Sequence, residues 1–407
     1  MLINIDNILV KMLNNILQFL KERELYSQAN FETELDNHLK EKKNNFYVGF
    51  DPTANSLHIG NYVLIHIAKL LKDMGHTPHI VLGSATALIG DPTGRIELRK
   101  ILEEKEIVKN TKTIKKQIKQ FLGDVIIHEN KVWLEKLNYI EVIRELGAFF
   151  SVNKMLSTDA FSVRWEKGLT LMELNYMILQ AYDFYYLHKN HNVTLQIGGS
   201  DQWANILAGA NLIKRKNNAN VFGLTANLLV KANGEKMGKT SSGALWLDEN
   251  KTSVFDFYQY WINLDDQSLK KTFLMLTMLD KKVIDELCNL KGPKIKQTKQ
   301  MLAFLITELV HGTKKAKEAQ QRSELIFSNQ PDLDIKLVKT STNLIDYLVE
   351  TKFIKSKSEA RRLISQKGLT INNKHVLDLN QIIEWKEELQ IIRKGKKSFL
   401  TIKTVNS

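Results

Sequence analysis

Apolar positions along the chain fall into three recurring patterns. The first is a short unbroken apolar run, a turn, then helical spacing. Residues 46–50, "FYVGF", read as a buried strand. The run stops at Asp51-Pro52-Thr53, where Pro52 fixes φ and withholds a backbone donor. "SLHIGN" then leads into "YVLIHIAKLLKDMG", whose apolar residues recur at helical spacing as far as Gly75, a residue suited to a helix C-terminal end. "HIVLGSATALIGDPTG", from His79, repeats the strand and the Asp-Pro-Thr turn. "VTLQIGGSDQW", from Val193, gives a strand, a glycine turn and the helix "ANILAGANLIKRK". These strand–turn–helix–strand units predict an α/β fold with a Rossmann-like parallel sheet. Ligands in such sheets sit beyond the carboxyl ends of the strands, where all three turns fall.

The second pattern, from Lys251 to Arg322, is helical and rich in lysine. The third begins after "SNQPDLDIKLVKTST", which has little periodicity and reads as a linker. "NLIDYLVETKFIKSKSEARRLISQKG" gives two short amphipathic helices, "LTINNKHV" a strand–turn–strand around Asn372-Asn373, and "LQIIRKGKKSFLTIK" a basic hairpin. The expected organisation is a catalytic domain with an N-terminal helix at 1–245 and a helical domain at 246–326. A linker at 327–342 and a small α+β module at 343–407 follow. The opening "MLINIDNILVKMLNNILQFLKERELYSQ" contains Asp6, Glu22 and Glu24 and shows no small-residue cleavage site, so it reads as an amphipathic helix rather than a signal peptide.

Composition narrows the class. A chain of 407 residues, 43% hydrophobic and 25% charged, is expected to form two or three globular domains. No apolar run is long enough for a membrane helix, and no membrane role is expected. The single cysteine, Cys288, excludes an internal disulfide and a cysteine-rich metal site, which fits a reducing cytoplasm. Formal net charge is +13, of which residues 281–322 and 341–407 each carry +6. A basic C-terminal third on a nearly neutral body fits a polyanion partner, though solvated lysine faces are an equal reading.

Two motifs carry candidate chemistry. In "LHIGN", His58 stands at the mouth of a helix, where unpaired N–H groups and the dipole favour phosphate. Gly60 permits close backbone approach, and His58 and Asn61 share a face of the first turn. A plain helix cap explains the tetrapeptide as well. "GEKMGKTSSG" holds Lys236, Lys239 and Thr240 between glycines, suited to a polyphosphate whose charge develops in a transition state. An exposed basic loop is the competing reading.

Together these motifs resemble the HIGH and KMSKS signatures of class I aminoacyl-tRNA synthetases, with Asn61 in place of the second histidine and Gly238 and Thr240 in place of the two serines. "YVGFDPTANSLHIGN", "LIGDPTGR", "YMILQAYDF", "LQIGGSDQW" and "GEKMGKTSSG", in this order, closely resemble bacterial-type tyrosyl-tRNA synthetases. The C-terminal module resembles an S4 RNA-binding domain. The resemblance implies ligation of L-tyrosine to tRNA(Tyr) through tyrosyl-adenylate, in a cytoplasmic homodimer. ATP would enter with Mg²⁺ as substrate, and no metal would be held by the protein itself.

The same resemblance implies a role for each site residue. Tyr47 and Asp183 would hold the phenol, and Asp91, Tyr176 and Gln180 the substrate ammonium. Gln202, with Gln196, would meet the substrate or its activated carboxyl. Gly49, Gly199 and Asp201 would hold the ribose, with Asp51 and Gly60 also on the ATP side. Thr53 and His58, with Asn61, would reach the γ-phosphate, and Lys236, Lys239 and Thr240 the leaving pyrophosphate. Arg95 and Arg99 match further positions on that side. Lys355, Lys357, Arg361 and Arg362 would track RNA phosphates. Asp183 falls seven residues after Tyr176 and three after Gln180, so the three share one helical face, an odd set for a packed core. Three alternatives remain at this level: a tryptophanyl enzyme, a non-catalytic RNA-binding derivative, and another nucleotidyl transferase with the same turn.

Overall fold

The computed structural model describes residues 15–40, 43–93, 102–158, 161, 165, 168–240, 243–327, 336–339, 342–371, 374–384, 390–395 and 398–405. They belong to two compact units divided between Ala316 and Lys317.

The first unit is built on six strands: β1 Tyr26–Ala29, β2 Asn45–Phe50, β3 Thr77–Leu82, β4 Ile126–Glu129, β5 Val193–Gly199 and β6 Phe222–Ala226. Their order is β1-β6-β5-β2-β3-β4. All neighbours are parallel except β1, which pairs antiparallel with β6. The unbroken apolar runs have their cause here. Val48, Ile80, Leu195 and Ile197 are at most 1% exposed, because helices cover both faces of a parallel sheet. The chain winds outward from β2 to β4, then returns to place β5 on the other side of β2. Strand order therefore reverses between β2 and β5, and a crevice opens beyond their carboxyl ends.

Helix ends carry ordinary signals. The helix Ile59–Asp73 is capped by His58 and stops two residues before Gly75, which takes φ +97°. The helix Leu171–His191 starts at a Thr170–Glu173 capping box and ends at Asn192 in the left-handed region. The helix Glu104–Leu122 turns two polar side chains inward to hold the segment ahead of His58. Asn110 Nδ2 donates to the Pro52 carbonyl (3.0 Å), and Gln117 accepts from Leu57 N (2.9 Å) while donating to Ser56 Oγ (3.0 Å).

Helices Val254–Ile262, Leu269–Leu276, Lys281–Cys288 and Pro293–His311 bury Phe257, Tyr258, Trp261 and Phe273. They lie in the same compact unit as the sheet. Contact with the sheet-side loop is direct: Tyr260 Oη accepts from Gly238 N (2.8 Å). The helix Thr313–Phe327 crosses the division between units.

The second unit holds a five-stranded sheet ordered β11-β10-β12-β13-β9, with helices Leu344–Glu350 and Lys357–Ser365. Its strands are β9 Lys336–Lys339, β10 Leu369–Ile371, β11 Lys374–His375, β12 Gln390–Lys394 and β13 Ser398–Val405. Leu344, Leu348, Ala360, Ile364, Leu369, Ile392 and Ile402 form its core. The strand–turn–strand and the basic hairpin are where the sequence places them, although the Asn372-Asn373 turn lies outside the described residues. The linker expectation needs correction. β9 falls inside 327–342, pairs parallel with β13, and buries Val338. "KLVK" is too short, and too close to Pro331, for alternation to reveal a strand that only its partner defines.

Candidate active site

A cavity of about 620 Å³ opens at the β2/β5 crevice. Tyr47, Gly49, Asp51, Thr53, His58, Gly60, Asn61, Asp91, Tyr176, Gln180, Asp183, Gln196, Gly199, Asp201, Gln202 and Lys236 all line it. Residues as far apart in sequence as Tyr47 and Lys236 are thus brought together. Lys239 and Thr240 form the short strand β7, paired with β8 (Gly243–Ala244); their side chains lie outside the described residues, as do Arg95 and Arg99.

On one side of the cavity Tyr47 and Asp183 are 2% and 4% exposed. Among the described residues the Tyr47 hydroxyl has no partner. Asp183 accepts from Trp133 Nε1 (2.7 Å) and Asn130 Nδ2 (3.0 Å). Asn130 and Trp133 are functional candidates that the sequence reading missed. Both follow β4 directly in "HENKVWL", and a position beyond the carboxyl end of a parallel strand was the available signal. Gln180 and Gln196 each leave a buried Oε1 without a partner among the described residues. Unpaired polar atoms in a cavity wall suit a polar ligand, since a buried donor or acceptor left unmade costs about 1–3 kcal/mol.

The acidic residues are already oriented. Asp51 accepts from the Tyr176 hydroxyl (3.0 Å) and the Thr86 hydroxyl (2.8 Å). Asp91 accepts from Gln202 Nε2 (2.7 Å) and from Thr93 N (3.0 Å), and Gln202 in turn accepts from Asn205 (3.1 Å). Two carboxylates in one cavity mouth, each aimed by its neighbours, can receive an ammonium and hydroxyl groups.

The side of the cavity expected to meet phosphate is built on the helix mouth. His58 Nδ1 accepts from Gly60 N (3.1 Å), and Asn61 Oδ1 accepts from His58 N (3.0 Å), a reciprocal cap. A Cβ at Gly60 would stand 2.9 Å from His58 Cε1, so only glycine leaves the ring in place. Burial, then the nearby Lys236 ammonium, lowers the His58 pKa. The Lys236 ammonium lies 3.5 Å from Asp201. The lysine loop is rooted on this helix: Ile59 N donates to the Leu245 carbonyl (3.0 Å), and Leu245 N to the Gly238 carbonyl (2.6 Å). Gly238 takes φ +82°, and a Cβ there would meet Ile59 Cγ2 at 2.7 Å. Trp246, also unanticipated, bridges to His58 through the backbone and lines the cavity.

Of the candidate RNA-contacting side chains, Lys355, Lys357, Arg361 and Arg362 are all exposed on or just before the helix Lys357–Ser365. Lys357 also pairs with Asp346 at 2.7 Å.

Burial raises the Asp183 carboxyl to about 7, against the lowering effect of its hydrogen bonds from Asn130 and Trp133. An ordinary aspartate titrates near ~3.9. Between about pH 4 and 7 the folded chain thus keeps a proton that the unfolded chain has released, so this group's contribution to stability is lost as pH rises through that window. Asp183→Asn has no proton to lose. Its stability relative to the parent, measured by urea unfolding, is expected to rise between pH 5 and pH 7.5. A constant difference would show that Asp183 titrates normally.

The family model of class I tRNA synthetases (W and Y) matches residues 39–328. The model of the tyrosine–tRNA ligase SYY-like C-terminal domain matches residues 323–402. Fold and site define a class I aminoacyl-tRNA synthetase. The tyrosine–tRNA ligase of Mycoplasma genitalium is 99% identical over 396 residues, covering 97% of this chain and 100% of that protein. The tyrosine–tRNA ligase of Mycoplasma pneumoniae is 61% identical over 395 residues, 97% of this chain and 99% of its own. Among solved structures, a C-terminally truncated mitochondrial tyrosyl-tRNA synthetase from Aspergillus nidulans superposes with a TM-score of 0.68 at 27% identity, over 77% of this chain and 94% of that one. The chain belongs to the bacterial-type tyrosine–tRNA ligases.

Proposed function

We propose that this chain activates L-tyrosine with ATP to tyrosyl-adenylate and pyrophosphate, then transfers the tyrosyl group to the 3′-terminal adenosine of tRNA(Tyr). The observation that carries the amino-acid choice is the buried Tyr47–Asp183 pair: the Tyr47 hydroxyl has no partner among the described residues, and the Asp183 carboxyl keeps accepting capacity beyond its bonds from Trp133 and Asn130, so the two suit a phenol O–H and would lose a partner with phenylalanine. Asp91, Tyr176 and Gln180 receive the ammonium, and Gln202 and Gln196 hold the carboxyl that attacks the α-phosphorus in line. Gly49, Gly199 and Asp201 take the ribose, and Asp51 and Gly60 complete the ATP side. Thr53, His58 and Asn61 meet the γ-phosphate, while Lys236, Lys239 and Thr240 stabilise the departing pyrophosphate. No protein nucleophile is needed; positioning and charge stabilisation carry the rate. ATP enters as its Mg²⁺ complex.

Lys355, Lys357, Arg361 and Arg362 contact tRNA phosphates in this reading. The enzyme acts as a homodimer, consistent with the exposed apolar side chains of Tyr139, Ile140, Ile143 and Leu171 in the first unit. It works in the cytoplasm. Among the described residues no helix is long and apolar enough to cross a membrane.

The deciding experiment is exchange of labelled pyrophosphate into ATP, with each amino acid supplied in turn. Tyrosine alone is expected to drive it. Exchange driven by tryptophan instead would overturn the assignment.

A further inference from the structure

Three histidines meet beside the cavity and have no place in the reaction just described. His79 is the third residue of β3, His128 the third of β4, and His191 the last of the helix Leu171–His191. One ring nitrogen from each lies within 4.8 Å of the others, the only such triplet of candidate ligands found among the described residues. His79 Nδ1 and His128 Nε2 face each other at 2.9 Å, with their rings nearly parallel. The His191 ring centroid is 4.6 Å from that of His128 and 5.6 Å from that of His79. His79 is 3% exposed, so the cluster is buried on its β3 side.

We propose that His79, His128 and His191 form a binding site for one divalent transition-metal ion of the Zn²⁺ type, with water in the remaining position. Three imidazoles and an open position make a recurring zinc set, and imidazole favours zinc, copper and nickel over magnesium or calcium. Nitrogens bound at about 2.0–2.1 Å around a tetrahedral ion stand roughly 3.3 Å apart. The His79–His128 pair is already near that spacing, and the longest separation has about 1.5 Å to close by turning imidazole rings.

The site touches the cavity wall at two points. His79 lies in register with Tyr47 on the adjacent strand. The His128 ring packs edge-on against Trp133, 6.1 Å between centroids, and Trp133 holds Asp183. An ion here would tie β3, β4 and the end of the Asp183 helix together behind the proposed phenol-binding pair. The metal-binding claim itself does not depend on which amino acid is activated.

The test uses the untagged full chain, stripped with a chelator and titrated with ZnCl₂ by calorimetry. CoCl₂ serves as a visible-absorption probe. About one Zn²⁺ per chain is expected, and Co²⁺ should give the ligand-field bands of a nitrogen-rich site of low coordination number. His191→Ala sits at a helix end and should fold; His128→Ala is the second variant, and circular dichroism checks both. Each should weaken Zn²⁺ binding by more than the ~10–100-fold that loss of an outer-shell partner costs. His375→Ala, on exposed β11, should leave it unchanged. Absence of a one-to-one ion in the parent, or undiminished binding in folded His191→Ala, would overturn the proposal and leave a stacked imidazole cluster without a metal.

Discussion

Replacing Lys239 with alanine is expected to slow tyrosyl-adenylate formation by about 10²–10³, the usual cost of removing one donor aimed at developing charge. Tyrosine affinity stays nearly unchanged. The split follows from where the loop is anchored. Lys239 opens β7, one residue after Gly238, and Gly238 is bonded to Tyr260 on one side and to Leu245 on the other. Leu245 is bonded in turn to the first residue of the His58 helix. The lysine is thus rooted on the phosphate side, while Tyr47 and Asp183 sit in a different wall. Single-turnover stopped-flow at saturating tyrosine and ATP reads the rate, and equilibrium dialysis reads the affinity. A parental rate would remove this loop from the chemistry. A large loss of tyrosine affinity would place it at the wrong end of the cavity.

A chain ending at Phe327 is expected to retain tyrosine-dependent pyrophosphate exchange and to lose most tRNA charging. A cut at Thr340, inside the segment that reads as a linker, would be the wrong one. It leaves β9 without β13, exposing Val338 and an unpaired strand edge. Ending at Phe327 keeps the helix Thr313–Phe327 intact and removes the second sheet whole. It also removes +6 of the +13 formal charge. If Lys355, Arg361 and Arg362 each neutralise a phosphate, the slope of log affinity against log salt should become shallower by about 2–3. Filter binding over a salt series measures this. Unimpaired charging would make the exposed basic helix a solvated face. Exchange lost in a folded truncated chain would make the second unit part of the catalytic body.

The parallel strands and the cavity mouth were legible because their signals are local. An unbroken apolar run, a proline turn and a glycine before a helix each state their structure within a few residues. What stayed hidden depends on partners distant in the chain. β1, "YSQA", is half-buried and polar, and it is a strand only because β6 supplies its ladder. β9 depends on β13 in the same way. Asn130 and Trp133 look like an ordinary helix start until Asp183, some fifty residues on, is seen to accept from both. The three clustered histidines are separated by 49 and 63 residues, and no spacing rule would have joined them.

The reciprocal cap at His58 settles a question of tautomers. Because Nδ1 accepts from the Gly60 N–H, the neutral ring must carry its hydrogen on Nε2. Burial disfavours a second proton, so the neutral imidazole offers its Nε2–H as a donor of fixed polarity. Asn61 holds the opposite arm of the cap. The substitution at the second signature histidine therefore supplies orientation where a second imidazole could have added a competing acid–base equilibrium. If this ring meets the γ-phosphate as proposed, its lowered pKa moves any pH dependence of ATP binding through it downward from the ordinary histidine range.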